Sequence, residues 1–242
     1  MVSEEKKTAE LSLLGGFVFS VSGDALLGIS AGSQRLLAFL ALRDRAVPRH
    51  QVAGTLWPES TDERAGASLR SAVLRLHGPS RQAVKVTAAD LSLAEGLAVD
   101  VHFSQSLARR LIDRDAVPSD RDIGGPAVSA LSDDLLPGWY DDWAVIAAED
   151  WRQLRLHALE AVAARLTAAD RLAEAAAAAL EAVRVEPLRE SARAALIRVH
   201  LAGGNQSDAV GEFERYRVLL LAELGLEPTT RLRQVLDELP AR

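Results

Sequence analysis

The amino-acid sequence predicts a mainly α protein with a small β component, organised in two parts. Residues 11–28 alternate and are broken by glycines, as short strands are. Residues 31–77 carry three helical patterns, and a hairpin pattern follows at 83–96. From Val101 onward nearly every run has helical period. A chain of 242 residues with 48% hydrophobic content is long enough for two ordinary domains and their cores.

In chain order, "LSLLGGFVFSVSGDALLG" from Leu11 reads as two or three antiparallel strands with tight turns at Gly15, Gly16, Gly23 and Gly28. "SAGSQRLLAFLALRD" then places Leu36, Leu37, Leu40 and Leu42 at helical spacing, with Ser33 as N-cap, for a helix of about three turns. Pro48, at a first-turn position, opens a short second helix, "RHQVAGTLW", which Pro58 closes. An acidic turn leads into a third helix from Asp62 to His77, stopped by Gly78 and Pro79. "AVKVTAADLSLAEG" supplies two β runs around a polar turn.

The second part reads as helices over 103–115, 126–134, 141–168, 171–185, 188–202, 206–223 and 229–238. Breaks fall at Gly124-Gly125, Pro137-Gly138, Pro187, Gly203-Gly204 and Pro228. "AADRLAEAAAAALE" and "AGGNQSDAVGEFER" start small-residue helices 34 residues apart, the period of tetratricopeptide-type pairs. An ordinary alanine-rich bundle is the alternative. The expected division is 1–101 and 102–242.

Charge follows the same division. The net charge is −6, yet residues 31–89 carry nine Arg and Lys against four acids, while 101–242 carry 17 basic and 23 acidic side chains. Only the first part holds a locally basic window, so any polyanion contact is expected there. With no cysteine, disulfides, thiolate metal sites and a cysteine nucleophile are excluded. The N-terminus lacks the pattern of a signal or membrane segment, so a cytoplasmic protein without membrane contact is expected.

The third helix divides cleanly at 100° per residue. Ala65, Leu69, Ala72, Val73 and Leu76 form one apolar stripe that docks on a core. Arg64, Ser68, Ser71 and Arg75 form a second stripe, two guanidiniums bracketing small hydroxyls, and Arg70, Leu74, Ala67 and His77 fill the exposed arc. Such a face suits a major groove. Arginine binds guanine or phosphate bidentately, serine reaches phosphate or base edges, and Leu74 can meet a thymine methyl. Asp62 and Glu63 sit at the positive end of the helix, where carboxylates are favourable. Arginines on a solvated face are common in themselves. The order of helices followed by a hairpin is what adds weight, because it is the arrangement of a winged helix-turn-helix with the third helix presented and the hairpin as wing.

The stretch "GSQRLLAFLALRDRAVPRHQVAGTLWPESTDERAGASLRSAVLRLH", with the hairpin and "VDVHFSQSLARRL", resembles the DNA-binding region of the Streptomyces antibiotic regulatory proteins. "PGWYDDWAVIAAEDWRQLRLHALEAVAARL", "VEPLRESARAALIRVHLAGGNQSDAVGEFERYRVLLLAELGLEP" and "TTRLRQVLDEL" are similar to the bacterial transcriptional activator domain that accompanies it. The resemblance implies a transcriptional activator that binds repeated promoter elements in double-stranded DNA, more than one protomer at a time as in a homodimer, and recruits RNA polymerase. It implies DNA-facing roles for Arg70 and Arg75, backbone contacts by Gln34 and Arg35, and a wing containing Lys85 and Thr87. The turn "PESTDE", with Glu59, Asp62 and Glu63, is then the polymerase-facing loop. Neither a receiver nor a nucleotide-binding domain is expected in this sequence. The chain departs from the family pattern "SRLRR" at the end of the third helix. "LRLHGPS" puts Leu74 in place of a polar residue, His77 in place of an arginine, and Gly78-Pro79 where the helix otherwise continues.

Other chemistry has little support. His50, His77, His102, His157 and His200 show no ligand spacing, and no metal or other cofactor is expected. "LLGGF" lacks the lysine of a phosphate loop, and no nucleophile, base and orienter can be assembled into an enzyme site. Trp139, Tyr140, Trp143 and Trp151 are read as packing residues between the helical part and its neighbour. Three classes are thus weighed: a DNA-binding activator, a helical-repeat adaptor whose winged helix binds DNA weakly or not at all, and, last, an enzyme.

Overall fold

A computed structural model describes residues 8–43, 45–113, 115–116, 119 and 122–237. It forms two compact units. One gathers the described residues up to Phe103 with Asp134–Trp151, and the other takes the described residues of Ser104–Asp133 and those from Arg152 onward.

The first unit begins with β1 (Ala9–Ser12), β2 (Val18–Val21) and β3 (Asp24–Ala25), antiparallel in sequence order as the alternation predicts. Leu11 lies opposite Phe19, and both are buried. A strand the sequence pattern did not indicate, β7 (Ala98–Val99), adds to β1 in parallel. The carboxylate of Asp100 then accepts from the N–H groups of Leu13 at 2.9 Å and Leu14 at 3.0 Å, tying the end of β1 to the start of α5 (Asp100–Ile112).

Helix α1 (Ala31–Arg43) buries Leu36, Leu37, Phe39 and Leu40. Ser33 is not its N-cap. Ser30 precedes the helix and its Oγ faces the Ser33 N–H at 3.4 Å, while Ser33 is buried one turn in and its hydroxyl donates to the Ala72 carbonyl at 2.8 Å. Pro48 likewise lies outside its helix: it ends β4 (Val47–Pro48) and caps α2 (Arg49–Leu56). Strand β4 joins β5 (Val84–Val86) and β6 (Asp90–Leu93) in a three-stranded antiparallel sheet, β4-β6-β5. The predicted hairpin is therefore β5–β6, with β4 as an unforeseen third strand.

Helix α3 spans Asp62–Leu74, three residues shorter than its sequence pattern suggests. Gly78 and Pro79 do more than stop it, for they open a short helix α4 (Gly78–Gln82). His77 is extended, and its N–H and carbonyl both bond the Ser80 hydroxyl, at 3.2 and 2.8 Å. The predicted apolar stripe of Ala65, Leu69, Ala72, Val73 and Leu76 is buried throughout. Ser33 thus fastens α1 to α3 where neither backbone is exposed. Ser33→Ala is expected to lower stability by about 1 kcal/mol in urea titration, the net worth of one intramolecular hydrogen bond.

Of the aromatic group, Trp139 stacks on Phe17 at 6.2 Å between ring centroids, and Trp143 meets Trp139 and Phe39 edge-on at 6.0 and 5.4 Å, all inside the first unit. Tyr140 takes no part as a packing residue, being 87% exposed.

The second unit contains α6 (Gly125–Ala130), α8 (Leu172–Val185), α9 (Glu190–Ala202), α10 (Gln206–Leu224) and α11 (Thr230–Asp237), with the later part of α7 (Asp142–Ala168). The 34-residue period is real in the backbone. Helices α8 and α10 start at Leu172 and Gln206, after turns in which Asp170 and Gly204 both have positive φ. In each turn an N–H reaches back five residues, Arg171 to Leu166 at 2.9 Å and Asn205 to His200 at 2.8 Å. Ala175, Ala178, Ala179 and Ala182 of α8 are fully buried, and their small side chains allow α9 to pack closely. Ile197, Ala209, Phe213, Tyr216, Leu220, Leu232 and Val235 form the core among α9, α10 and α11.

Candidate nucleic-acid interface

With one stripe of α3 buried, the opposite arc is presented to solvent. Leu74 is 75% exposed near its centre, beside exposed Ala67. Arg70 stands on one flank, and Arg64 and Arg75 stand on the other, all three exposed. Ser68 and Ser71 are half-buried, Ser68 between Arg75 and the core stripe and Ser71 between the centre of the face and Arg64. None of the three arginines has an acidic partner within ion-pair distance among the described residues. Their charges are available to an external anion. Arg75 is the C-cap of α3 and keeps helical dihedral angles, so the shorter helix still carries the whole arginine set. His77 lies outside it, in extended backbone.

The wing turn is closed by Thr87, whose Oγ1 accepts from the Asp90 N–H at 2.8 Å while its own N–H donates to the Asp90 carbonyl at 3.0 Å. Lys85 and Thr87 are both exposed. The Arg49 N–H donates to the Ala89 carbonyl at 2.8 Å and its guanidinium approaches the Thr87 carbonyl at 3.4 Å, so the first residue of α2 holds the wing turn. Sequence reading missed Arg49 for this reason: its partners lie 38 and 40 residues away. Arg49, His50 and Arg70 also line a cleft of about 320 Å³ between α2 and α3, together with Asp62.

Gln34 and Arg35 already have partners within the chain. The Gln34 amide donates to the Ile29 carbonyl at 2.9 Å. The Arg35 guanidinium pairs with Asp141 and lies over the Trp57 ring at 6.0 Å, both half-buried. This pair joins α1 to the segment ahead of α7 and sets the seat of Trp57, the residue that caps α2. Glu59, Asp62 and Glu63 are exposed around the start of α3, with Thr61 as N-cap. They form a separate acidic surface at one end of the arginine-bearing helix. Among the described residues no cluster of His, Asp and Glu is arranged to hold a metal ion, and no helix is long and apolar enough to cross a membrane.

A winged-helix unit whose third helix bears exposed arginines, followed by a unit of stacked helical pairs, is the class of protein that fold and site define. The chain belongs to the bacterial transcriptional activator domain family, whose profile matches residues 99–239. It is 27% identical over 234 residues to the regulatory protein AfsR of Streptomyces griseus, a match that covers 88% of this chain and 23% of that protein. Its fold is similar to that of Mycobacterium tuberculosis EmbR, solved in complex with a low affinity phosphopeptide, with a TM-score of 0.66 at 21% identity. That likeness covers 97% of this chain and 65% of EmbR. The chain spans less than a quarter of AfsR and about two thirds of EmbR. The resemblance to the Streptomyces antibiotic regulatory proteins, drawn from the motifs, is upheld by these likenesses.

Proposed function

We propose that the chain is a sequence-specific DNA-binding transcriptional activator acting in the cytoplasm at the nucleoid. The observation that carries this reading is the exposed face of α3, where Arg64, Arg70 and Arg75 flank Leu74 with no acidic partner among the described residues. Lodged in a major groove, this face sets Arg70 and Arg75 against base edges or phosphates, Arg64, Ser68 and Ser71 along the backbone, and Leu74 against a thymine methyl. Lys85 and Thr87 of the wing meet the flanking backbone. Arg35 serves by fixing α1 and Trp57, and Gln34 by fixing the turn before α1, as much as by any phosphate contact of their own. Residues 1–101 are the DNA-binding part in this reading, and 102–242 the activator part.

Glu59, Asp62 and Glu63 repel a phosphate backbone, so their surface faces protein, in this reading RNA polymerase. Repeated promoter elements are bound by more than one protomer. The adaptor reading draws on the apolar Leu74 at the centre of the face and on His77 standing outside the helix.

Footprinting on the DNA upstream of the gene, paired with run-off transcription, separates the two. A protected repeat is expected. Glu59→Gln, Asp62→Asn and Glu63→Gln together should leave the footprint intact and lower the transcript several-fold. No protection at low salt, with the protein folded, sinks the activator reading, and transcription untouched by the triple variant removes the loop from it.

A further inference from the structure

The helical unit carries a groove that the DNA-binding reading does not use. Two cavities open on either side of α9, one of about 190 Å³ toward α11 and one of about 360 Å³ toward α7. Ser191 and Arg198 line both, so the cavities adjoin along the helix. Helices α7, α9 and α11 are alternate members of the array, and repeat arrays use such sets of helices as extended binding surfaces.

The charge of this groove is uneven in a specific way. Its carboxylates are engaged inside the unit: Glu160 accepts from Arg189 Nε at 2.6 Å and Ser191 Oγ at 2.7 Å, and Glu190 accepts from the Thr229 N–H at 3.0 Å and from its hydroxyl. Its arginines are not. Arg198 and Arg231 are exposed, line the cavities, and have no hydrogen-bond or ion-pair partner among the described residues. Between Glu160 and Thr167 of α7 and Ser191 and Arg198 of α9, the second cavity is lined by Ala164, Ala168 and Ala195, short side chains that leave room for a main chain.

We propose that this groove binds an extended peptide segment bearing at least two carboxylate side chains, received by Arg198 and Arg231. Two separate guanidiniums in reach of discrete carboxylates form charge-assisted, bidentate pairs. A nucleic-acid backbone is a poorer occupant, because a continuous row of phosphates would have to pass Glu160 and Glu190 on a part of the chain with 23 acidic and 17 basic side chains over 101–242.

The test uses the full chain and fluorescein-labelled octapeptides in an Ala/Ser background, each with two glutamates at a different separation, beside the same peptides with glutamine. Anisotropy should show at least one spacing bound about tenfold tighter than its glutamine counterpart. Arg198→Ala and Arg231→Ala should each weaken that peptide about tenfold with an unchanged melting temperature, since neither side chain has a partner to lose among the described residues. The proposal is overturned if no spacing exceeds the glutamine peptides, if the variants bind as the wild type does, or if a DNA duplex displaces the peptide in proportion to Arg198.

Discussion

Replacing Arg70 and Arg75 together by alanine is expected to weaken binding to the cognate promoter duplex about a hundredfold. Each bidentate arginine contact to a base contributes about 1–3 kcal/mol of discrimination, so two such losses come to about 2–6 kcal/mol, a range that spans the about 2.7 kcal/mol of a hundredfold change. Both side chains are exposed and neither is ion-paired among the described residues, so the variant is expected to keep its fold and its melting temperature. Anisotropy titrations at several KCl concentrations assign the two roles. Loss of a phosphate contact lowers the slope of log K against log salt by about one unit and weakens all duplexes alike. Loss of a base contact leaves the slope and removes the preference for the promoter repeat. Since the first hundred residues balance at 11 basic and 11 acidic side chains, the wild-type slope itself should be shallow. Affinity unchanged in the double variant would mean that α3 does not face the DNA.

Much of this face was legible in the sequence because helical period is a local property. Five apolar residues at 3.6-residue spacing specified which side of α3 is buried, and the arginines on the other side followed from the same arithmetic. The repeat was legible for a similar reason, since the turns at Asp170 and Gly204 recur at a fixed offset from helix starts. Non-local partners were not legible. Two-residue strands such as β4 and β7 have no pattern of their own and exist only because β6 and β1 pair with them. Arg35 reads as a free cation until the fold brings Asp141 to it from 106 residues away. The end of α3 was misplaced because Leu76 and His77 continue the periodic pattern, while the local bonds between His77 and Ser80 draw the chain into α4 instead. Ser33 was misread as a cap on residue type alone. Its hydroxyl is used 39 residues away, on Ala72.

In the helical unit a large loss of stability is expected from Glu212→Ala. Glu212 and Arg193 are both buried, on α10 and α9, and form an ion pair. The Glu212 carboxylate also accepts from Arg215 Nη2 at 2.6 Å, and the Arg193 guanidinium donates to the Pro187 carbonyl at 3.1 and 3.2 Å while lying over the Tyr216 ring at 5.6 Å. Tyr216 in turn donates to the Leu188 carbonyl at 3.1 Å, and burial, aided by the charge of Glu190, raises its phenol above the ordinary value of 10, so the ring stays neutral. The cluster thus fixes the turn at Pro187-Leu188 against two helices. Removing Glu212 strands a guanidinium away from water, which costs about 3–5 kcal/mol when one partner of a buried pair is lost. That loss should lower the melting temperature by on the order of 10 °C. Glu212→Gln, which keeps an acceptor for Arg193, should lose less. The decisive comparison is Arg193→Met combined with Glu212→Leu, followed by circular dichroism. If the cost arises from the uncompensated charge, the double variant is more stable than Glu212→Ala, since an apolar pair of similar volume needs no desolvation. If the double variant is no more stable, the pair holds α9 against α10 through its geometry, and its hydrogen bonds outweigh the desolvation of two charges.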